Sequence, residues 1–210
     1  MKTLFIALFF LFNIQECESS NDNYQAIDAT ELEGLETAYF ASGCFWCVEA
    51  IYESVEGVKE VISGYAGGRE ENPTYQQVGA HMTGHAEVVE VHYDPEVVSF
   101  ETLVQVFYGS QDPTTVGQRP DFGEVYRSVI FFKNKEEKAI AKAAKAAIAE
   151  NYKERIVTEI VPFVKFWKGE DYHQDFEKRN PNQSYIRAVS VPRLNRFKAK
   201  FPELLKKGGH

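Results

Sequence analysis

Residues 86–95, AEVVEVHYDP, alternate between side chains that seek the interior and side chains that seek water. A period of two over that length is the signature of a half-buried β-strand. The next segment, SFETLVQVFYGS, changes period. Phe100, Leu103, Val104 and Phe107 form one helical stripe, and Ser99 stands where an N-cap belongs. A strand followed by an amphipathic helix demands a sheet with a helix laid on it. One residue breaks the strand's logic. Glu87 has the parity of Val89, Val91 and Tyr93, whereas Glu90 and His92 take the other face. A carboxyl on the apolar side loses hydration, its pKa rises, and it becomes an acid usable near neutral pH. A strand-end Glu that reaches solvent is the competing reading.

Other segments extend the pattern. TAYFA reads as a strand, and Val48, Ile51, Tyr52 and Val55 recur at helical spacing behind it. GVKEVISGYAGG, RSVIFF and IVTEIVPF read as further strands, with Tyr126 at the start of the RSVIFF strand. NKEEKAIAKAAKAAIAENY predicts a helix with Ile140, Ala144, Ala147 and Ile148 inward and Lys138, Lys142 and Lys145 outward. REENPTYQQVGAHMTGH and QDPTTVGQRPDFGEVY read as long loops, which in compact domains often carry function. A shorter helix follows around DYHQDFEKRN, then a helical stretch with Leu194, Phe197 and Leu204. The expected class is α+β, with helices on one face of a mixed sheet.

The start of the chain is different. An apolar run from Leu4 to Phe12 follows a single lysine and ends in polar ESSNDNYQ. It is shorter than the ~20 residues a membrane span requires, and it fits the core of a secretory signal. Residues 1–19 are therefore expected to be a signal peptide, 20–36 a polar linker, and 37–210 the functional domain with a C-terminal helical extension. Export to the periplasm or outside the cell follows, with lipid attachment at Cys17 as the alternative. Lys and Arg number 23 against 31 Asp and Glu, a net charge of −8, which argues against nucleic-acid binding. Without Cys17 the domain holds only Cys44 and Cys47, no disulfide framework.

Those two cysteines flank an aromatic pair in SGCFWCVEA. Cys44 follows a strand and Gly43 and opens a helix, where free N–H groups and the helix dipole favour a thiolate. Metal binding is not expected, because zinc wants four ligands and no second C-x-x-C exists. A thiol–disulfide exchange site of thioredoxin-like type remains open. So does a nucleophile in a pocket, since Phe45 and Trp46 make an apolar mouth suited to a small apolar group. Tyr75 ends the first long loop, and taken alone either tyrosine, Tyr75 or Tyr126, reads better as an ordinary core residue.

GCFWCVE, GYAGG, NPTY, TGHAE, YDP, DPTT, YRS and DYHQ occur in that order. From Thr37 to Val191 the chain thereby resembles the A-type peptide methionine sulfoxide reductases. The resemblance implies a ferredoxin-like α/β plait with added loops. It implies Cys44 as the nucleophile on the sulfoxide sulfur, Phe45 and Trp46 as walls around the substrate methyl, and Glu87 as proton donor to the oxygen. Tyr75 and Tyr126 are implied as hydrogen-bond partners of that oxygen, and Asp121 as an orienting group. The implied substrate is the S-sulfoxide of methionine, free or in oxidised proteins and peptides. No cofactor and no metal are implied, the recycling reductant is of thioredoxin or glutaredoxin type, and a monomer is expected. The chain departs from the family pattern around VGQRPDFGEVYRS, where Pro120 precedes Asp121 and Val125 precedes Tyr126, and it has no cysteine after Cys47. Residues i and i+3 of a helix lie ~5–6 Å apart, inside disulfide range, so Cys47 is a possible resolving thiol. A thiol–disulfide oxidoreductase using Cys44 and Cys47 and a non-catalytic envelope binding domain stand as the alternative functions.

Overall fold

The computed structural model describes residues 29–208; the expected signal peptide, most of the linker and Cys17 lie outside the described residues. Strand β1 (Glu36–Ala41) leads through Cys44 into helix α1 (Phe45–Glu53), and β2 (Val58–Ala66) returns. A short helix α2 (Tyr75–Gly79) precedes β3 (Ala86–Tyr93), and α3 (Phe100–Gly109) packs behind it. A small hairpin, β4 (Gly117–Gln118) and β5 (Asp121–Phe122), comes before β6 (Val129–Phe132), α4 (Lys135–Ala149), β7 (Glu159–Pro162) and β8 (Phe166–Lys168). Helices α5 (Phe176–Arg179) and α6 (Val191–Lys200) close the chain.

Strands β7-β6-β1-β3-β2-β8 form a six-stranded sheet in that order. Only the β6–β7 pair is parallel; β1–β3, β1–β6, β2–β3 and β2–β8 are antiparallel. The alternation along β3 decides which residues meet the helices. Val89, Val91 and Tyr93 join the main core with Phe40, Ile51, Leu103 and Phe107, while Ala86 and Val88 face the opposite side. Each such valine, fully buried, contributes about 1.5–3 kcal/mol. Among the described residues no helix packs on the opposite face. Its cluster of Tyr39, Ala41, Val129 and Phe131 is covered by the β7–β8 connection, with Phe163 stacked 3.8 Å from Tyr39.

Several sequence expectations hold. Ser99 caps α3, its hydroxyl accepting from Thr102 N at 3.1 Å, and β3 spans the alternating segment. Others need correction. The first long loop contains α2, because Thr74 and Gln77 form a reciprocal capping box that starts a helix at Tyr75. Tyr126 sits in a 3-10 turn, and the strand begins three residues later at Val129. Ala147 of α4 is exposed, and Lys145 folds back to donate to Thr158 O. Residues 171–179 give a 3-10 turn and the one-turn α5 in place of a single helix.

Candidate active site

β1 delivers the chain to a tight turn at Gly43, whose φ of +91° is a region that side chains resist. A Cβ there would also stand 3.1 Å from Gln118 Cγ and 3.3 Å from Arg193 Nη1. Gly43 N donates to Tyr126 O at 3.1 Å, which ties the turn to the second long loop. Cys44 is the N-cap of α1 and Cys47 lies on its first turn; both are free thiols and buried.

The first donor of α1 is not left for the sulfur. Phe45 N donates to Glu87 Oε2 at 2.9 Å. Glu87 is only 2% exposed, and β3 aims it at the helix face, as its parity predicts. Burial pushes its carboxyl up to about 8, against the lowering pull of the Phe45 hydrogen bond. The expected thiolate at Cys44 is not what this environment favours. Burial, the hydrogen bond with Cys47 and the negative charge of Glu87 all raise the Cys44 thiol. Cys47 is brought down to about 6 by the hydrogen bond from Cys44, with Arg193, Ser190 and Tyr185 assisting against burial. The two shifts run in opposite directions, so Cys44 holds its proton more tightly than Cys47 does.

Phenols surround the pair. Tyr75 is raised to about 12 by burial and by Glu87; Tyr126 is raised by the same causes. Both therefore stay protonated at neutral pH. Asp121, in β5, accepts from Tyr185 Oη at 2.5 Å, and Tyr185 Oη lies 3.7 Å from Cys47 Sγ. Asp121 therefore joins the site through Tyr185.

The aromatic mouth is built from both ends of the domain. Phe45 is buried against the His173 ring at 4.9 Å and stacks with Tyr75 at 6.4 Å. Trp46 stacks on Phe176 at 3.7 Å, and its Nε1 donates to His173 Nδ1 at 3.2 Å. Burial holds His173 at about 4, so it is neutral and able to accept that bond. Glu170 accepts from Tyr65 Oη at 2.8 Å and from Tyr75 N at 2.9 Å, fixing where α2 begins. Gln174 pins this segment to the sheet by accepting from Ser63 N and donating to Ser63 O, each at 2.9 Å.

The structure brings Cys44, Phe45, Trp46, Cys47, Tyr75, Glu87, Asp121 and Tyr126 to one place. Sequence reasoning missed Glu170, His173, Tyr185 and Arg193. DYHQ stood out as a motif, but nothing in a lone Tyr or Arg near the C-terminus marks it as reaching back to a thiol. Among the described residues no group of three or more His, Cys, Asp or Glu is placed to hold a metal ion.

The family model for peptide methionine sulfoxide reductase matches residues 36–205. Peptide methionine sulfoxide reductase MsrA 1 of Rhodopirellula baltica is 45% identical over 186 residues, covering 88% of this chain and 97% of that protein. MsrA of Methanosarcina acetivorans is 51% identical over 160 residues, covering 74% of this chain and 85% of that one. Among solved structures, methionine sulfoxide reductase A of Corynebacterium diphtheriae superposes with a TM-score of 0.66 at 34% identity, over 72% of this chain and 77% of that one. Reduced Mxr1 of Saccharomyces cerevisiae gives 0.68 at 29% identity, over 75% and 91%. With a family match that spans most of its length, a thiol-and-carboxyl site at the GCFWC turn and a mixed α+β sheet shared with these structures, the chain belongs to the peptide methionine sulfoxide reductase family.

Proposed function

We propose that the reduction of methionine sulfoxide, the activity of this family, runs here through Cys44, Glu87 and Cys47 in sequence. The observation that carries this reading is a buried carboxyl, protonated to about pH 8, bonded to the first amide of the helix that starts at the nucleophile. A sulfoxide sulfur is a poor electrophile until its oxygen is protonated or strongly hydrogen-bonded. Glu87 supplies the proton, and the Tyr75 and Tyr126 hydroxyls donate to the oxygen as charge builds on it. The Cys44 sulfur attacks the sulfoxide sulfur, and its own proton passes to the Cys47 thiolate beside it. The S–O bond breaks as oxygen moves to Cys44. Methionine leaves, and Cys44 remains as a sulfenic acid. Phe45 and Trp46 bound the substrate methyl group, and the S epimer is the one accepted.

Cys47 then attacks the sulfenic sulfur, water departs and a disulfide joins the two. A dithiol reductant of thioredoxin or glutaredoxin type reopens it. The hydrogen bond between the thiols supports this second step. We further read the order β6-β1-β3-β2, with α1 and α3 on one face, as a ferredoxin-like plait extended at both edges. Residues 1–19 act as a signal peptide, so the repair takes place outside the cytoplasm.

Single-turnover reaction with each epimer of a methionine sulfoxide peptide, followed by intact mass, tests the scheme. One methionine per enzyme from the S epimer, with the protein two hydrogens lighter, is the expected result. A Glu87→Gln variant that reduces sulfoxide at the wild-type rate would remove Glu87 as the proton donor, and wild-type protein that forms no methionine from either epimer would favour plain thiol–disulfide exchange.

A further inference from the structure

A cavity of about 490 Å³ opens beside the Gly43 turn, where Gln118 and Arg193 of its lining approach Gly43. Arg119, Arg193, Arg196 and Lys200 line it, on a chain whose net charge is −8. Among the described residues no ion pair joins any of these cations to a carboxylate. Asp112, the carboxylate in the lining, is held by Thr114 N at 2.9 Å and Thr114 Oγ1 at 2.6 Å. Arg193 helps hold the Cys47 thiol down, which leaves Arg119, Arg196 and Lys200 gathered without a counter-charge, an arrangement that a bound anion would compensate. Gln111, in the same lining, has both amide atoms shut off from solvent with no hydrogen-bond partner in the protein. Such groups normally find a partner.

We propose that this cavity binds a small multivalent oxyanion, of phosphate or polycarboxylate chemistry, between Arg119, Arg193, Arg196 and Lys200. Arginine and lysine donors around a confined volume suit such an anion through charge-assisted hydrogen bonds. Arg193 makes the site more than a surface patch. It is 6% exposed, its Nε donates to Ser110 O at 2.9 Å and its Nη2 to Ser42 O at 2.9 Å. Its Nη1 lies against Gly43. An anion seated there touches the same guanidinium that braces the catalytic turn.

The test is calorimetric titration of the full chain with inorganic phosphate and, separately, with citrate, at constant ionic strength. Saturable binding of either at millimolar concentration is expected, and the tighter of the two names the source of the anion. An Arg196→Ala/Lys200→Ala variant should bind about tenfold more weakly or worse, while reducing a methionine sulfoxide peptide at the wild-type rate in buffer free of both anions. Arg119→Ala serves if that variant does not fold, because Arg119 is exposed. The absence of saturable binding by either anion would overturn the proposal. Affinity unchanged in the variants would do the same.

Discussion

The Glu87 carboxyl accepts the backbone N–H of Phe45 at 2.9 Å, so the acid is anchored to the first turn of the helix that its partner thiol begins. The same bond removes the donor that would otherwise have stabilised a Cys44 thiolate. Removing the Cys44 sulfur should therefore stop the chemistry without disturbing the acid. Cys44→Ser is expected to abolish reduction, because an alkoxide forms far less readily than a thiolate. Turnover of a methionine sulfoxide peptide measures it; substantial residual activity would remove Cys44 from its role.

Glu87→Gln should slow sulfoxide reduction by about 10²–10⁴-fold, the range for losing a general acid. The wild-type rate should fall as pH rises through about 8, where Glu87 loses its proton, and the variant should lack that limb. Stability carries the same sign. Glu87 is held above its unfolded value of 4.5, so between about 4.5 and 8 the folded state binds the extra proton and unfolding becomes easier as pH rises. The variant should lose that slope in urea titrations across the window.

Cys47→Ser should still release one methionine per enzyme, then stop as a sulfenic acid that dimedone traps. The wild type should leave no dimedone adduct and should lose two hydrogens. Recycling of Cys47→Ser at the wild-type rate with a dithiol reductant would make Cys47 a bystander.

Gln174→Leu should cost stability while leaving the thiols in place. It strands Ser63 N, which donates to the Gln174 amide oxygen, while Ser63 O keeps the Gly169 N–H at 2.9 Å; a buried group left unmet costs about 1–3 kcal/mol. Chemical denaturation should show a loss of about 1–3 kcal/mol on that basis. A shift below the scatter of a surface substitution would show that solvent reaches the gap.

Intact-mass measurement on protein recovered from its native host checks export. A new N-terminus near Ser19 is expected. Retained Met1 would contradict cleavage, and a diacyl mass on Cys17 would instead give a lipid anchor.

Much of this site was legible in the chain because local rules dictate it. Period two placed Glu87 on the helix face, and a strand–glycine–helix junction placed Cys44 at a helix start. The charge state of the thiols was not legible. Dipole reasoning pointed to Cys44, but burial and Glu87 outweigh the dipole there, and the lowered thiol is Cys47. The hydrogen bond from Cys44 is the largest cause of that lowering, and Arg193 and Tyr185, which add to it, lie 146 and 138 residues away from Cys47 along the chain. Contacts that distant leave no periodic trace. Tyr126 was misplaced for a simpler reason: YRSVIFF reads as an uninterrupted strand, and the turn through Gly123 that precedes it has no period of its own.

Cys44 and Cys47 also sit within one turn of one helix, both sheltered from solvent. That arrangement sets up a race. A sulfenic acid in oxidising surroundings is threatened by a second oxidant, which would carry it irreversibly to the sulfinic state. The oxidant must diffuse in through an aromatic mouth, whereas the neighbouring thiol is already there at an effective concentration no solute reaches. On the proposed scheme, an enzyme that mends oxidative damage would thereby be protected from the damage it mends, by a sulfur three residues away.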